Sequence, residues 1–189
     1  MRIILASKSP RRKLLLKKII DSFDIIVPET QENFDSALLP EQNVIAVAER
    51  KAEAVFSTNP DALVIAADTT VFMSDAGYFG KPSDEKQAEI YLRILSGRQH
   101  NVYTGVYILS QEKKLCFSDK ADVLMKKLSD TEIEDYIKKF KPLDKAGAYG
   151  YQDGICSSVK GYESTVIGLP VEILREKLRL FQELKGVIK

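Results

Sequence analysis

The chain opens on an unbroken apolar run, Ile3-Ile4-Leu5-Ala6, and passes directly into the polar segment Ser7-Lys8-Ser9-Pro10-Arg11-Arg12. A short continuous apolar run suits a strand covered on both faces, so residues 3–6 are predicted to form one. Ser9 fits a helix N-cap and Pro10 the first helical position. Leu15/Ile19 and Leu16/Ile20 then repeat at i,i+4, which predicts a helix over 10–20. A second short strand is expected at 24–27, followed by a polar loop over 28–39. Val44, Ala48, Ala52 and Val55 recur at helical spacing and predict a helix over 40–56. The run Ala62-Leu63-Val64-Ile65-Ala66-Ala67 reads as a central strand that ends in Asp68-Thr69-Thr70 and resumes with Val71-Phe72.

Further along, Asp75-Ala76-Gly77 marks a turn, and a third helix is expected from Ser83, with Ala88, Leu92 and Leu95 on its inner face. Residues 102–109 and 115–125 read as two strands joined through Ser110-Gln111-Glu112-Lys113-Lys114, a hairpin. Ser129-Asp130-Thr131-Glu132 is a capping box opening a helix that carries Ile133, Ile137 and Phe140. The Gly-rich stretch over 147–168 predicts short irregular or extended pieces, and Pro170 begins a closing helix to 184. Strands alternating with helices at both ends, around a central hairpin, predict an α/β (α+β) mixed sheet with flanking helices. No repeat or linker divides the chain, so one domain over 1–189 is expected.

Composition narrows the chemistry. Lys+Arg 28 against Asp+Glu 27 leaves a net charge of +1, which excludes a global field for nucleic acid or anionic membrane; any bound anion must meet a local cluster. His100 is the one histidine, so a triad or a Cys–His pair would rest on it alone. Cys116 and Cys156 lie too far apart in sequence for a CxxC or zinc motif, and two cysteines suit a reducing cytosol. The N-terminal apolar stretch is too short for a signal peptide, and no run reaches the roughly eighteen apolar residues of a membrane span. The expectation is a soluble, cytoplasmic protein that works with carboxylates.

Several clusters could carry that work. Ser7, Ser9, Arg11 and Arg12 lie in a strand-to-helix turn, where backbone N–H groups, hydroxyls and two guanidiniums suit a phosphate chain. The alternative is a capped helix with solvated arginines, but cations in a first turn oppose the helix dipole, which favours the phosphate reading. Asp68, directly after six apolar residues, either holds a metal or water outside a strand's carboxyl end or caps a turn. Glu29 and Glu32 are either further metal-facing carboxylates or solvated loop acids. Gly77-Tyr78-Phe79-Gly80-Lys81 is too short for a P-loop and Pro82 has no place in one, although Lys81 could still reach phosphate as a point charge. His100 reads as a hydrogen-bonded structural residue with no catalytic role. Asp144 and Lys145 set opposite charges beside the Gly/Ala segment 146–148, where backbone can approach a ligand closely. Gln152 carries an amide that can donate to and accept from a base edge.

Taken in order, Leu5-Ala6-Ser7-Lys8-Ser9-Pro10-Arg11-Arg12, Ala67-Asp68-Thr69, Gly80-Lys81-Pro82, Leu95-Ser96-Gly97-Arg98-Gln99-His100, Tyr103-Thr104-Gly105-Val106 and Asp144-Lys145-Ala146-Gly147-Ala148-Tyr149 resemble the Maf family of nucleoside triphosphate pyrophosphatases, over nearly the whole span 3–170. The resemblance implies an elongated mixed sheet like that of the inosine triphosphatase group, with two lobes around a central cleft. It also implies cleavage of a nucleoside triphosphate to monophosphate and pyrophosphate with a divalent cation, Mg or Mn, in a homodimer. By resemblance, Asp68 is the proton acceptor. Ser7, Ser9, Arg11 and Arg12 face phosphate, Lys51 and Lys81 support it, Glu32 and Asp68 hold metal, and Asp144 and Lys145 support the site. Arg12, Thr69 and Gln152 match the trio of the branch that cleaves dTTP and UTP. The stretch Gly161-Tyr162-Glu163-Ser164-Thr165-Val166-Ile167-Gly168-Leu169-Pro170 departs from the family's usual end motif, with Thr165 in place of an amide and Tyr162 in place of a small hydroxyl. Two rival readings are a non-catalytic nucleotide-binding regulator of cell division and the same chemistry with another base preference.

Overall fold

A computed structural model describes residues 1–35, 37–184 and 186–189. Its strands are β1 (Arg2–Ala6), β2 (Asp24–Ile26), β3 (Ala62–Met73), β4 (Gly77–Phe79), β5 (Gln99–Leu109), β6 (Lys114–Met125) and β7 (Cys156–Lys160). The helices are α1 (Pro10–Leu16), α2 (Pro40–Phe56), α3 (Glu85–Leu95), α4 (Asp130–Phe140), α5 (Glu163–Ile167) and α6 (Val171–Leu178). The strands form one seven-stranded mixed sheet in the order β2-β1-β3-β5-β6-β7, with β4 paired to β3. β1 runs parallel to β2 and β3, whereas β3–β4 and β6–β7 are antiparallel. The predicted mixed α/β sheet with flanking helices is what the chain forms.

Local chemistry accounts for most element boundaries. Ser9 caps α1 by accepting the Arg12 N–H at 3.3 Å. The capping box of α4 forms as expected: Ser129 Oγ accepts the Glu132 N–H at 3.3 Å, and Glu132 accepts the Ser129 N–H at 2.7 Å. α3 begins at Glu85, two residues later than predicted, because Asp84 caps it by accepting the Gln87 N–H at 2.7 Å. α1 ends at Leu16 instead of 20. Its i,i+4 pattern continues across a tightened turn, where Lys18 and Ile19 N–H bond three residues back to Leu15 and Leu16. Ile19 and Ile20 are still fully buried, so the spacing reported burial correctly and helix length wrongly. The closing helix also stops early, at Leu178, and a 3-10 turn over Gln182–Leu184 buries Leu184. Of the polar loop expected over 28–39, Ser36 lies outside the described residues.

The most consequential difference is β3. Instead of breaking at 68–70 it runs unbroken for 12 residues. β1 pairs with its first half as far as Ala6 opposite Ala66, and β4 pairs with its second half from Val71. Asp68 is therefore mid-strand, and the carboxyl end it lies beyond is that of β1. The polar residues that looked like a strand ending mark a change of neighbour.

Two compact units divide the chain. One comprises 1–68, 104–119 and 168–189, and the other 69–103 and 120–167, with chain crossings inside β3, β5 and β6. The first unit's core includes Ile4, Ala6, Ala48, Ala52, Val55, Val64 and Ala66, which places α2 against β1 and β3. Gly105 fixes that seating: a Cβ there would stand 2.5 Å from the Val44 carbonyl carbon and 2.6 Å from Ile45 N, so the backbones of β5 and α2 touch. The second unit's core packs Ala88, Leu92 and Leu95 of α3 with Ile133, Tyr136 and Ile137 of α4.

His100, on β5, is 2% exposed, and its Nε2 shares a 2.7 Å hydrogen bond with the Tyr149 hydroxyl. Burial lowers its pKa to about 4.

Two outcomes follow from these contacts. Gly105→Ala should lower unfolding free energy in urea by about 1–3 kcal/mol, because backbone rather than a flexible side chain must move. His100 should make stability pH-dependent. The unfolded chain takes up the proton at the ordinary histidine value and the folded one only near 4, so stability is complete above about pH 6.5. It should fall by about 3 kcal/mol as pH drops toward 4. Urea melts across that range should show the slope in the wild type and a flatter line in His100→Gln.

Candidate functional site

β1 delivers the chain into the turn at Ser7, which is 6% exposed and whose N–H bonds Leu5 O at 3.0 Å. Ser7 Oγ accepts the Ser9 N–H at 3.1 Å, and Ser9 Oγ accepts the Arg12 N–H. Two amides that the sequence offered to an anion are thus already engaged. The turn instead presents the hydroxyl hydrogens of Ser7 and Ser9, together with the guanidiniums of Arg11 and Arg12. Arg12 is held in place by its Nε, which donates to Gly168 O at 2.8 Å. Burial pulls the Arg12 pKa below its ordinary value, while Asp68 and Glu32 pull it back up and Arg11 adds to the lowering. Those couplings place the arginine turn within electrostatic reach of both carboxylates.

The carboxylates meet on a lysine. Lys51 lies on the sheet-facing side of α2, between Ala48 and Ala52, and its Nζ bonds Asp68 Oδ1 at 2.6 Å and Glu32 Oε1 at 2.8 Å. The side chains of Lys51 and Asp68 are each 6% exposed and that of Glu32 is 38% exposed. A buried ion pair has lost the hydration of both partners, a loss of several kcal/mol per ion that only close, well-formed contacts offset. Glu32 is held near by a structured loop. Asn43, buried on α2, accepts the Asp35 N–H at 2.8 Å and donates to the carbonyls of Asp35 and Leu38. Arg50 donates to Asn33 O at 2.8 Å. Glu29, the other loop acid, is exposed.

Among the described residues no group of three or more His, Cys, Asp or Glu could hold a metal ion. Two carboxylate oxygens around one ammonium nevertheless form a cation site in outline. Such a pair fits a hard cation of the magnesium type, which takes one or two carboxylates and completes its shell with phosphate and water. It does not fit a closed zinc site.

The other sequence-selected residues belong to the second unit. Thr69 follows Asp68 on β3, is half-buried, and by strand alternation points to the opposite face. Lys81 is exposed just after β4. Asp144 closes a 3-10 turn, Pro142–Asp144, and Lys145 Nζ lies 3.4 Å from Asp153 Oδ2. Gln152 is exposed at the centre of the turn Tyr151–Asp153. Gly168, Asn43 and Gly105 position the site without any spacing having singled them out for that task. Gly105 and Gly168 stand in stretches compared with the family but with no role of their own, and the one signal for Asn43 is a polar residue on the apolar face of α2.

A strand-to-helix turn with two serines and two arginines, set against a buried lysine–carboxylate cluster on a mixed sheet, defines an α/β protein equipped to hold a phosphate chain and a cation. The chain belongs to the Maf-like protein family, whose model matches residues 2–181. It is 44% identical to the dTTP/UTP pyrophosphatase of Bacillus velezensis over 183 residues, 95% of this chain and 96% of that one. It is 40% identical to the protein of the same name from Bacillus cereus strain G9842, over 95% of each. Among solved structures, the Ham1 protein of Staphylococcus aureus matches 66% of this chain and 72% of its own at TM-score 0.47 and 14% identity.

Removing one partner of the buried cluster leaves an uncompensated charge. Lys51→Met should therefore lose about 3–5 kcal/mol in urea denaturation, and adding Asp68→Asn should recover part of that loss.

Proposed function

We propose that the protein hydrolyses dTTP and UTP to the nucleoside monophosphate and pyrophosphate, with Asp68 as general base. The observation that carries the chemistry is the convergence of Asp68 and Glu32 on Lys51 beside the Ser7–Arg12 turn. The base preference draws on the relatives named dTTP/UTP pyrophosphatase.

Asp68 bonds Lys51 through Oδ1, and its second oxygen takes the proton from a water attacking the α-phosphorus. The bond from that phosphorus to the bridging oxygen of pyrophosphate breaks as the new P–O bond forms. Glu32 and Asp68 would hold a divalent cation, Mg or Mn, which when bound neutralises phosphate charge and makes a coordinated water more acidic. Ser7, Ser9, Arg11 and Arg12 bind the triphosphate and stabilise the charge that grows on the leaving pyrophosphate, with Lys51 and Lys81 adding positive field. Arg12, Thr69 and Gln152 select the base, Gln152 through an amide that can donate and accept on a pyrimidine edge. Asp144 and Lys145 support the segment that carries Gln152. Both cysteines are free thiols, which suits work in the cytoplasm, and the family resemblance supports a homodimer. A role in clearing non-standard pyrimidine triphosphates fits this activity.

The test is a triphosphate panel with Mg²⁺ and product analysis. dTTP and UTP should give monophosphate and pyrophosphate at the highest kcat/KM, and chelation with EDTA should stop turnover. Asp68→Asn should lose about 10²- to 10⁴-fold in kcat while still folding. Binding of dTTP with no pyrophosphate released by the wild type would overturn the enzymatic reading in favour of a nucleotide-binding regulator.

A further inference from the structure

Between α4 and β7 the chain makes a series of tight turns, and their anchors form one connected set. Gly147 takes a left-handed backbone, φ 68°, where a Cβ would stand 2.9 Å from Val71 Cγ2, and Ala148 is also left-handed at φ 59°. Tyr149 is buried and bonds His100. The Gly150 N–H is shared between the Tyr136 hydroxyl, at 3.0 Å, and Asp153 Oδ2, at 3.1 Å. The Tyr136 hydroxyl donates to the same Asp153 oxygen at 2.5 Å, and Lys145 Nζ faces that oxygen at 3.4 Å. Tyr151 donates its hydroxyl to Glu163 on α5.

Within this segment Gln152 is the exception. Its neighbours on both sides are tied down, yet Gln152 is exposed and makes no side-chain hydrogen bond among the described residues. A short turn held at each end, with an unengaged amide at its centre, fixes the backbone that presents that amide without using the amide to do so. Tyr136 is suited to the task. It is 5% exposed, and burial, reinforced by Asp153, pushes its pKa far above the ordinary phenol value, so it stays a donor across the working range. A Cβ at Gly150 would lie 2.6 Å from Asp153 Oδ2, so a side chain there would push that carboxylate out of place.

We infer that Tyr136 and Asp153 are positioning residues for base selection, holding the turn that carries Gln152. The inference rests on the reading that Gln152 contacts the base. Neither residue need touch substrate. Their loss would let the amide wander, which weakens discrimination between bases more than it weakens hydrolysis itself.

The test compares kcat/KM for dTTP with that for dCTP in the wild type, Gln152→Ala, Tyr136→Phe, Asp153→Asn and the Tyr136→Phe/Gln152→Ala double variant. Expected is a fall in the dTTP preference of roughly tenfold in Tyr136→Phe, short of the hundredfold that a full ångström of misplacement can cause. The change should sit in KM for dTTP more than in kcat. In the double variant Tyr136→Phe should add nothing to Gln152→Ala, because it acts through that amide. Asp153→Asn keeps the shape of the turn and should give a smaller fall of severalfold; it serves as the readout if Tyr136→Phe fails to fold by circular dichroism. A collapse of preference in Gln152→Ala with wild-type preference in Tyr136→Phe and Asp153→Asn would overturn the positioning role alone. Unchanged preference in Gln152→Ala would overturn the base-reading role and this inference together. An equal loss on both substrates in Tyr136→Phe would mark it as structural support only and also overturn the inference.

Discussion

The ion pair between Lys51 and Asp68 is the constraint around which the first unit is organised. Two opposite charges, 2.6 Å apart and each almost sealed from solvent, are stable only while nothing about them moves. The molecule supplies that stillness from three directions. Asp68 is set in an unbroken strand, Lys51 on a helix whose backbone rests directly on β5 at Gly105, and Glu32 on a loop clamped by Asn43 and Arg50. Hydrophobic residues of equal volume would hold this core at least as well as the ion pair does. A buried charge cluster of this kind is better understood as a chemical instrument than as a stabilising device.

How far the sequence reveals this arrangement depends on the residue. Helix α2 is legible end to end, because its apolar positions repeat cleanly and Pro40 marks the start. The caps at Ser9 and Ser129 are equally plain, since side-chain oxygens that bond N–H groups three residues on are a local matter. Lys51 is different. A lysine on a helix reads as solvated, and only the close approach at Gly105 and the passage of β3 beneath α2 bury it, both of which are long-range facts. Only the family resemblance picks it out, as a candidate cation for phosphate. The break predicted in β3 failed for a related reason: Asp68 is a poor strand former and reads as an interruption, but Thr69 and Thr70 favour a strand, and the tertiary setting overrides the preference of a single aspartate.

In the second unit the same lesson appears in reverse. The Gly-rich composition of 147–168 signals irregular or extended backbone, and the stretch carries two short 3-10 turns and β7, but it also forms the short helix α5 at Glu163–Ile167, which the composition does not mark. Composition did not show how firmly the region is held. A left-handed alanine beside a left-handed glycine is a strained choice, and strain of that sort survives only where surroundings over-determine it. Here they do so through buried hydrogen bonds from His100 and Tyr136, two residues that the spacing of motifs marks as ordinary members of a strand and a helix.

Asp68 lies in the interior of β3, with strand residues on both sides of it. A side chain at a strand terminus can swing with the loop that follows it, whereas one inside a strand has no loop beside it. Of the three members of the cluster, Glu32 is the half-exposed one and so the one with room to yield to a second cation. The protein keeps one carboxylate as a fixed datum and leaves its mate on the side open to water, so the cluster has a built-in direction of entry.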